Sequence, residues 1–352
     1  MSLINPTEVT TLLSDAILAE QYGVRTFSQL TNRVDAFSAT RYLIPDFVPS
    51  DGIGLFVGDS GLGKSPLLYQ AAVCVAAGVP FLERPVQQGR VLFMDAENGQ
   101  VEVRKIIDAH CGFLNVDFGD SLRFWNFNDT PNGDYASVIK ATRPDWVIID
   151  PLKAMYPGIE TDNTKALAAL KNLRELRRDV GCAVTGVHHI RKPSEGQFLD
   201  LETGSLREWL LQARGPRELI TGTDVRFGID YSSSGGENVL VLRGFERVIG
   251  ETPAIRVARM MDEDANPIGY QLCQGFELLN PEHRAVLDAL PESFRFKDAQ
   301  HNLNKASEAT QAMLKNFIRA GVVRHEGKGK PYVKILRAET ARPSACPLQM
   351  AA

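Results

Sequence analysis

Gly58, Gly63, Lys64 and Ser65 are spaced as G-x-x-x-x-G-K-S within the stretch GDSGLGKSPLLYQ. Glycines at this spacing let backbone N–H groups turn inward around phosphate oxygens, the lysine meets the outer phosphates, and the hydroxyl of Ser65 can ligate Mg2+. Asp59, Ser60, Gly61 and Leu62 complete the cradle. Pro66 follows it, in the first turn of the helix that should begin there. Proline is tolerated at that place because the first four N–H groups of a helix have no intrahelical partner. It lacks, however, the N–H that the residue after the hydroxyl commonly offers to an α-phosphate, so a competent loop with a looser grip on that phosphate is expected.

Three further strand ends carry chemistry. The run VLFMDAENG places Asp95 and Glu97 at the carboxyl end of a strand, where open α/β sheets bind ligands. Glu97 could orient an attacking water there; the plainer alternative is that Asp95 or Glu97 caps the helix starting near Gly99. The run DWVIIDPL sets four apolar residues before Asp150, the Walker B pattern, in which a strand-tip carboxylate holds the Mg2+ shell. A fourth strand runs into TGVHHIRKP. Adjacent histidines at a strand end cannot both face inward: His189 is the better candidate for sensing a γ-phosphate, and His188 is read equally well as a structural histidine. Arg191 and Lys192, in the polar loop at 190 to 204, are candidates for a nucleic-acid backbone or a γ-phosphate, or are solvated. Arg207, Arg214, Arg217 and Arg226 are candidates for an arginine finger acting across a subunit boundary.

These groups need a frame that brings strand ends together. The short apolar runs IGLFV, RVLFM, LRFWNF, WVIID and CAVTGV, each followed by turn residues and a helical stretch, predict a mostly parallel sheet covered by helices on both faces, an α/β class. VRFGID, NVLVLRG, IRVARM and GYQL, separated by Gly, Asn and Pro, predict antiparallel strands finishing that sheet. Ahead of the core, residues 7 to 20 show helical spacing within an N-terminal segment at 1 to 40. Beyond it, a helix at 281 to 290, a strand near FRF, helices at 297 to 303 and 306 to 320 and the hairpin VVRHEGKGKPYVKIL read as a winged helix over 279 to 338, followed by a disordered tail at 339 to 352. Lys305, Lys315, Lys328 and Lys330 make that unit a candidate for DNA contact.

The bulk numbers narrow the class. At 352 residues and 44% hydrophobic, the chain can bury one large core and a smaller appendage. A net charge of −4 argues against a uniformly basic nucleic-acid coat while allowing a local patch or channel. Five scattered cysteines without a CxxC pair suit a reducing cytoplasm and offer no zinc site. No apolar run approaches membrane-spanning length.

Together these motifs resemble the RecA-like P-loop ATPases, most closely the plasmid RepA-type hexameric replicative helicases and their AAA_25 relatives. The resemblance rests on RYLIPDFVPSDGIGLFVGDSGLGKS, GVPFLERPVQQGRVLFMDAEN, WVIIDPLKAMYPGIETDN, GVHHIRKP and ARGPRELITGTDVRFGID, and covers roughly residues 41 to 230, most of a core domain at 41 to 278. It implies ATP and Mg2+ as ligands, Glu97 as the catalytic glutamate, Asp150 as the Walker B aspartate, His189 as the sensor, and Arg226, with Arg214 second, as the trans-acting finger. It also implies a homohexameric ring around single-stranded DNA. The added C-terminal unit is a departure from those small, essentially single-domain helicases.

Overall fold

The computed structural model describes residues 42–126, 134–191, 199–233, 238–247, 249–273, 279, 281–319, 322–325, 327 and 329–334. The N-terminal segment at 1 to 40, Lys192, Lys328 and the tail at 339 to 352 lie outside the described residues. Two short strands, β1 (Tyr42–Ile44) and β2 (Val48–Pro49), pair with each other and lead into β3 (Ile53–Gly58), the strand that ends in the glycine-rich loop.

From β3 the chain passes through α1 (Lys64–Ala77) to β4 (Val91–Asp95), then α2 (Gln100–Leu114) and β5 (Leu122–Asn126). It returns through α3 (Tyr135–Thr142), β6 (Trp146–Asp150), α4 (Leu152–Met155) and α5 (Asn163–Val180) to β7 (Ala183–His189). Two short helices, α6 (Leu206–Leu210) and α7 (Arg217–Thr221), precede β8 (Val225–Tyr231), β9 (Val239–Glu246), β10 (Gly250–Glu251), β11 (Ile255–Met261) and β12 (Pro267–Leu272). The sheet has ten strands in the order β12-β11-β9-β8-β3-β7-β6-β4-β5, with β10 paired to β9. The five apolar runs are the parallel strands expected. Among the four later runs the pairing is mixed, because β8 joins β3 in parallel and only its other edge pairs antiparallel, with β9.

Both faces of the parallel part are buried, and the period of two shows how. Phe56, Phe93, Trp146 and Ile148 enter the core beneath α1, whereas Leu55, Val57, Met94, Val147 and Ile149 enter the core beneath α5. Helix α1 is buried on every side from Leu67 to Ala76, and apolar there except for Gln70 and the Tyr69 hydroxyl, because it is covered by the sheet, by α2 and by β12. It ends at Gly78, whose left-handed φ of 75° turns its N–H onto Cys74 O at 2.8 Å.

Register then gathers the chemistry. Gly58 pairs with His189 across β3 and β7, and Asp95 pairs with Asp150 across β4 and β6, so four parallel strands end on one edge. A parallel sheet with the loop-bearing strand between β7 and β8, and β6 one place beyond, is the RecA-like P-loop arrangement.

The later residues form α8 (Pro281–Ala289), β13 (Ser293–Phe294), α9 (Phe296–Leu303), α10 (Ser307–Arg319), β14 (Val323–His325) and β15 (Tyr332–Lys334). The three strands pair in the order β13-β15-β14 over a separate buried cluster that includes Leu287, Phe294, Met313 and Phe317. Among the described residues no helix is long and apolar enough to cross a membrane.

Candidate functional site

The loop after β3 closes into α1 through Gly63, which has φ of 87° and so needs a residue without a Cβ. Gly58 is needed for another reason: a Cβ there would stand 2.6 Å from Ile229 Cγ2 and 2.9 Å from Ile229 O on β8. Ser60 and Gly61 are exposed, Leu62 is buried, and Lys64 is buried behind the loop. Lys64 Nζ donates to Asp59 O at 2.6 Å. Burial lowers the ammonium pKa from its ordinary value, against the opposing pull of Asp150, Glu97 and Asp59.

His189 is the hub of the sheet edge. Its Nδ1 lies 3.5 Å from both Lys64 Nζ and Ser60 Oγ, and its Nε2 lies 3.7 Å from Glu97 Oε1. Burial, reinforced by Lys64, Lys153, His188 and Arg214, pushes its pKa down to about 4, so the ring is neutral at physiological pH. An ammonium can only donate, which makes Nδ1 the acceptor and leaves the single ring proton on Nε2, facing Glu97. His188 points the other way, with Nε2 donating to Arg214 O at 2.7 Å. The adjacent histidines thus take opposite faces.

Asp95 and Glu97 separate in function along one turn. Asp95 is 3% exposed, and its Oδ1 accepts from the backbone N–H groups of Glu97 and Asn98, each at 2.9 Å. Its Oδ2 accepts from the Tyr69 hydroxyl and from Asn98 Nδ2, and Asn98 Nδ2 also donates to Tyr69 Oη at 3.0 Å. Asp95 therefore builds the turn on which Glu97 stands, while α2 starts from Gly99 without a side-chain cap. Tyr69 lies just past the glycine-rich loop and Asn98 within the VLFMDAENG run, but neither is among the residues that the spacing singles out. Tyr69→Phe should lower steady-state phosphate release about three- to tenfold by loosening that turn, and lower stability by about 1 kcal/mol in chemical denaturation.

Asp150, 1% exposed, accepts a hydrogen bond from Ser65, and its Oδ2 is buried without a hydrogen-bond partner among the described residues. Burial raises its pKa to about 7; the Ser65 hydrogen bond and Lys64 oppose the rise, and Asp95 and Glu97 add to it. A hydroxyl and an orphaned carboxylate oxygen side by side at the end of a P-loop are a donor set that fits Mg2+, a hard cation satisfied by a few oxygen ligands besides water and phosphate.

The side chains of the remaining candidates point to other partners or to solvent. Arg214 gives its amide to His189 O at 2.9 Å and its Nε to Ile190 O at 3.1 Å, with a guanidinium nitrogen 4.0 Å from Glu160. Arg226 is level with Leu55 in the register of β8 and β3, and stacks 4.6 Å above the Phe245 ring. Arg191 donates to Gly215 O at 3.1 Å, while Arg207 and Arg217 are exposed. In the C-terminal elements, Lys305 pairs with Glu282 at 2.7 Å, and Lys315 and Lys330 are exposed.

A glycine-rich loop, a buried lysine, a strand-tip aspartate beside a serine and a glutamate held at the same sheet edge have the make-up of a P-loop nucleotide-binding site on a mostly parallel sheet. The AAA_25 family model, described as an AAA domain, matches residues 24–195 of the chain. No curated protein matches it. Among solved structures, the crystal structure of a KaiC-like protein from the hyperthermophilic archaeon Pyrococcus horikoshii OT3 is similar at 14% identity, over 65% of this chain and 93% of that one, with a TM-score of 0.42.

Proposed function

We propose that the chain is an ATP-hydrolysing DNA motor of the replicative-helicase type, working as a ring of identical subunits. The observation that carries the hydrolytic part is the line Lys64, His189, Glu97 at the sheet edge. In this proposal Lys64 leaves Asp59 O for the outer phosphates of ATP, and the P-loop amides hold the rest of the polyphosphate. Glu97, partly exposed beside His189, takes the proton of the attacking water. Neutral His189, with its proton toward Glu97, ties the position of that carboxylate to Lys64 and Ser60 and so to the presence of phosphate. Ser65 and Asp150 would hold Mg2+, which when bound draws charge from the phosphate oxygens. Arg226, with Arg214 second, is the proposed finger supplied to a neighbouring subunit.

Pro66 is the third residue of α1 and leaves the helix intact. Pro66→Thr restores one N–H near the α-phosphate and should tighten ADP binding about three- to tenfold in calorimetry.

The DNA part is supported by the resemblance of residues 41 to 230 to RepA-type helicases, by the exposed Lys315 and Lys330, and by a C-terminal helix and strand order that matches a winged helix. Strand displacement on forked DNA, run beside ATPase with and without single-stranded DNA, tests it. Stimulated hydrolysis with displacement is expected; stimulation without displacement would leave an ATP-dependent DNA-binding regulator instead. The mass in solution with and without ATP tests the ring, and a strict monomer in both conditions would remove the finger assignments.

A further inference from the structure

The P-loop has an outer face as well as an inner one. The carbonyls of Leu62 and Gly63 are held there by side chains from the antiparallel end of the sheet. Arg259 on β11 donates a guanidinium N–H to Leu62 O at 2.9 Å. Tyr270 on β12 donates its hydroxyl to Gly63 O at 3.3 Å, and Arg259 hydrogen-bonds that same hydroxyl. The fit is close: a Cβ on Gly63 would stand 2.7 Å from the Tyr270 hydroxyl and 3.0 Å from the Arg259 guanidinium.

Tyr270 is itself fixed. It is 2% exposed, and Gln70 of α1 pairs with its main chain as a neighbouring strand would, accepting from Tyr270 N at 2.7 Å and donating to Tyr270 O at 2.8 Å. The brace therefore ties the edge strand β12 both to the loop and to the helix that the loop begins.

A trans peptide unit is planar, with its C=O and N–H on opposite sides. Fixing the Leu62 carbonyl thus fixes the direction of the Gly63 N–H, and fixing the Gly63 carbonyl fixes that of the Lys64 N–H. We propose that Arg259 and Tyr270 are positioning residues for nucleotide binding, which aim the Gly63 and Lys64 amides at the polyphosphate of a nucleoside di- or triphosphate. The inference rests on the P-loop reading of residues 58 to 65 and adds to it two residues from a part of the chain that carries no recognised motif.

The test is ADP binding by calorimetry on the full chain, with the melting temperature of the nucleotide-free protein measured beside it. Tyr270→Phe removes only the hydroxyl and should weaken ADP about two- to fivefold; Arg259→Met should weaken it about five- to tenfold. Arg259→Lys, which keeps a donor, should recover most of that loss. Nucleotide-free melting temperatures should stay within about 2 °C of the unsubstituted chain. The KM for ATP should rise by the same factors while kcat changes little, because the amides bind ground state and transition state alike. Unchanged ADP affinity in both Tyr270→Phe and Arg259→Met overturns the proposal, as does a loss that appears only with a matching fall in nucleotide-free melting temperature. Failure of the unsubstituted chain to bind ADP is a different result, which overturns the P-loop reading and this inference with it.

Discussion

Glu97→Gln should lower kcat for ATP hydrolysis by about 10²- to 10⁴-fold, the range that a positioned general base contributes, while the Kd for ATP stays within about threefold. The glutamine has the same size and hydrogen-bonding reach but cannot take a proton. Glu97 is 44% exposed at its side chain, so the exchange disturbs no packed core. Its backbone is held by Asp95 whatever its side chain, so the turn survives the substitution. Removing a carboxylate near Lys64 also removes charge that would repel phosphate, which keeps binding intact or strengthens it. Pre-steady-state phosphate release together with equilibrium ATP binding reads both quantities. A kcat within about threefold of the unsubstituted chain would place the base elsewhere.

The second large effect is a pair of opposite changes in one variant: Asp150→Asn should abolish most hydrolysis and yet stabilise the nucleotide-free protein at alkaline pH. Burial lifts the Asp150 pKa from an ordinary 3.8 to about 7. Between those values the folded chain holds a proton that the unfolded chain has released, so stability falls as pH rises across the interval. The group's favourable contribution is fully present below the unfolded pKa and is lost as pH passes through about 7. Asparagine is neutral throughout and has nothing to lose. At pH 8 Asp150→Asn should therefore be about 1–3 kcal/mol more stable in denaturant titrations, with the difference shrinking toward pH 5. Phosphate release should fall about 100-fold or more, since the variant removes the charge set beside Ser65 for Mg2+. A buried charge that destabilises the empty protein is the ordinary cost of a poised site. A variant no more stable at pH 8 than at pH 5, relative to the unsubstituted chain, would show that Asp150 is not held protonated in the empty fold.

Much of this site is legible in the amino-acid sequence, for a physical reason. A P-loop is local: its glycines, lysine and serine are neighbours in sequence, and apolar runs before Asp95, Asp150 and His189 mark strands whose parallel pairing must bring their ends to one edge. The opposed faces of His188 and His189 follow from strand pleating in the same way. Contact between distant segments leaves no such trace. Arg259 meets Leu62 across 197 positions, and Gln70 meets Tyr270 across 200, with no motif around Arg259 or Tyr270 to announce either contact. Tyr69 is one apolar-looking residue in an apolar helix until the fold sets its hydroxyl on Asp95. Arg226 has a place in a motif, yet only the register of β8 shows that it lies level with Leu55, three residues before the strand end that carries the loop.

The most direct measurement is phosphate release by the purified chain supplied with ATP and Mg2+, beside Lys64→Ala under identical conditions. A P-loop site of this geometry predicts Mg2+-dependent release by the unsubstituted chain and loss of nearly all of it in Lys64→Ala, with the substituted protein still folded by its melting curve. Hydrolysis at the unsubstituted rate in Lys64→Ala, or none in the unsubstituted chain with Mg2+ present, would contradict it.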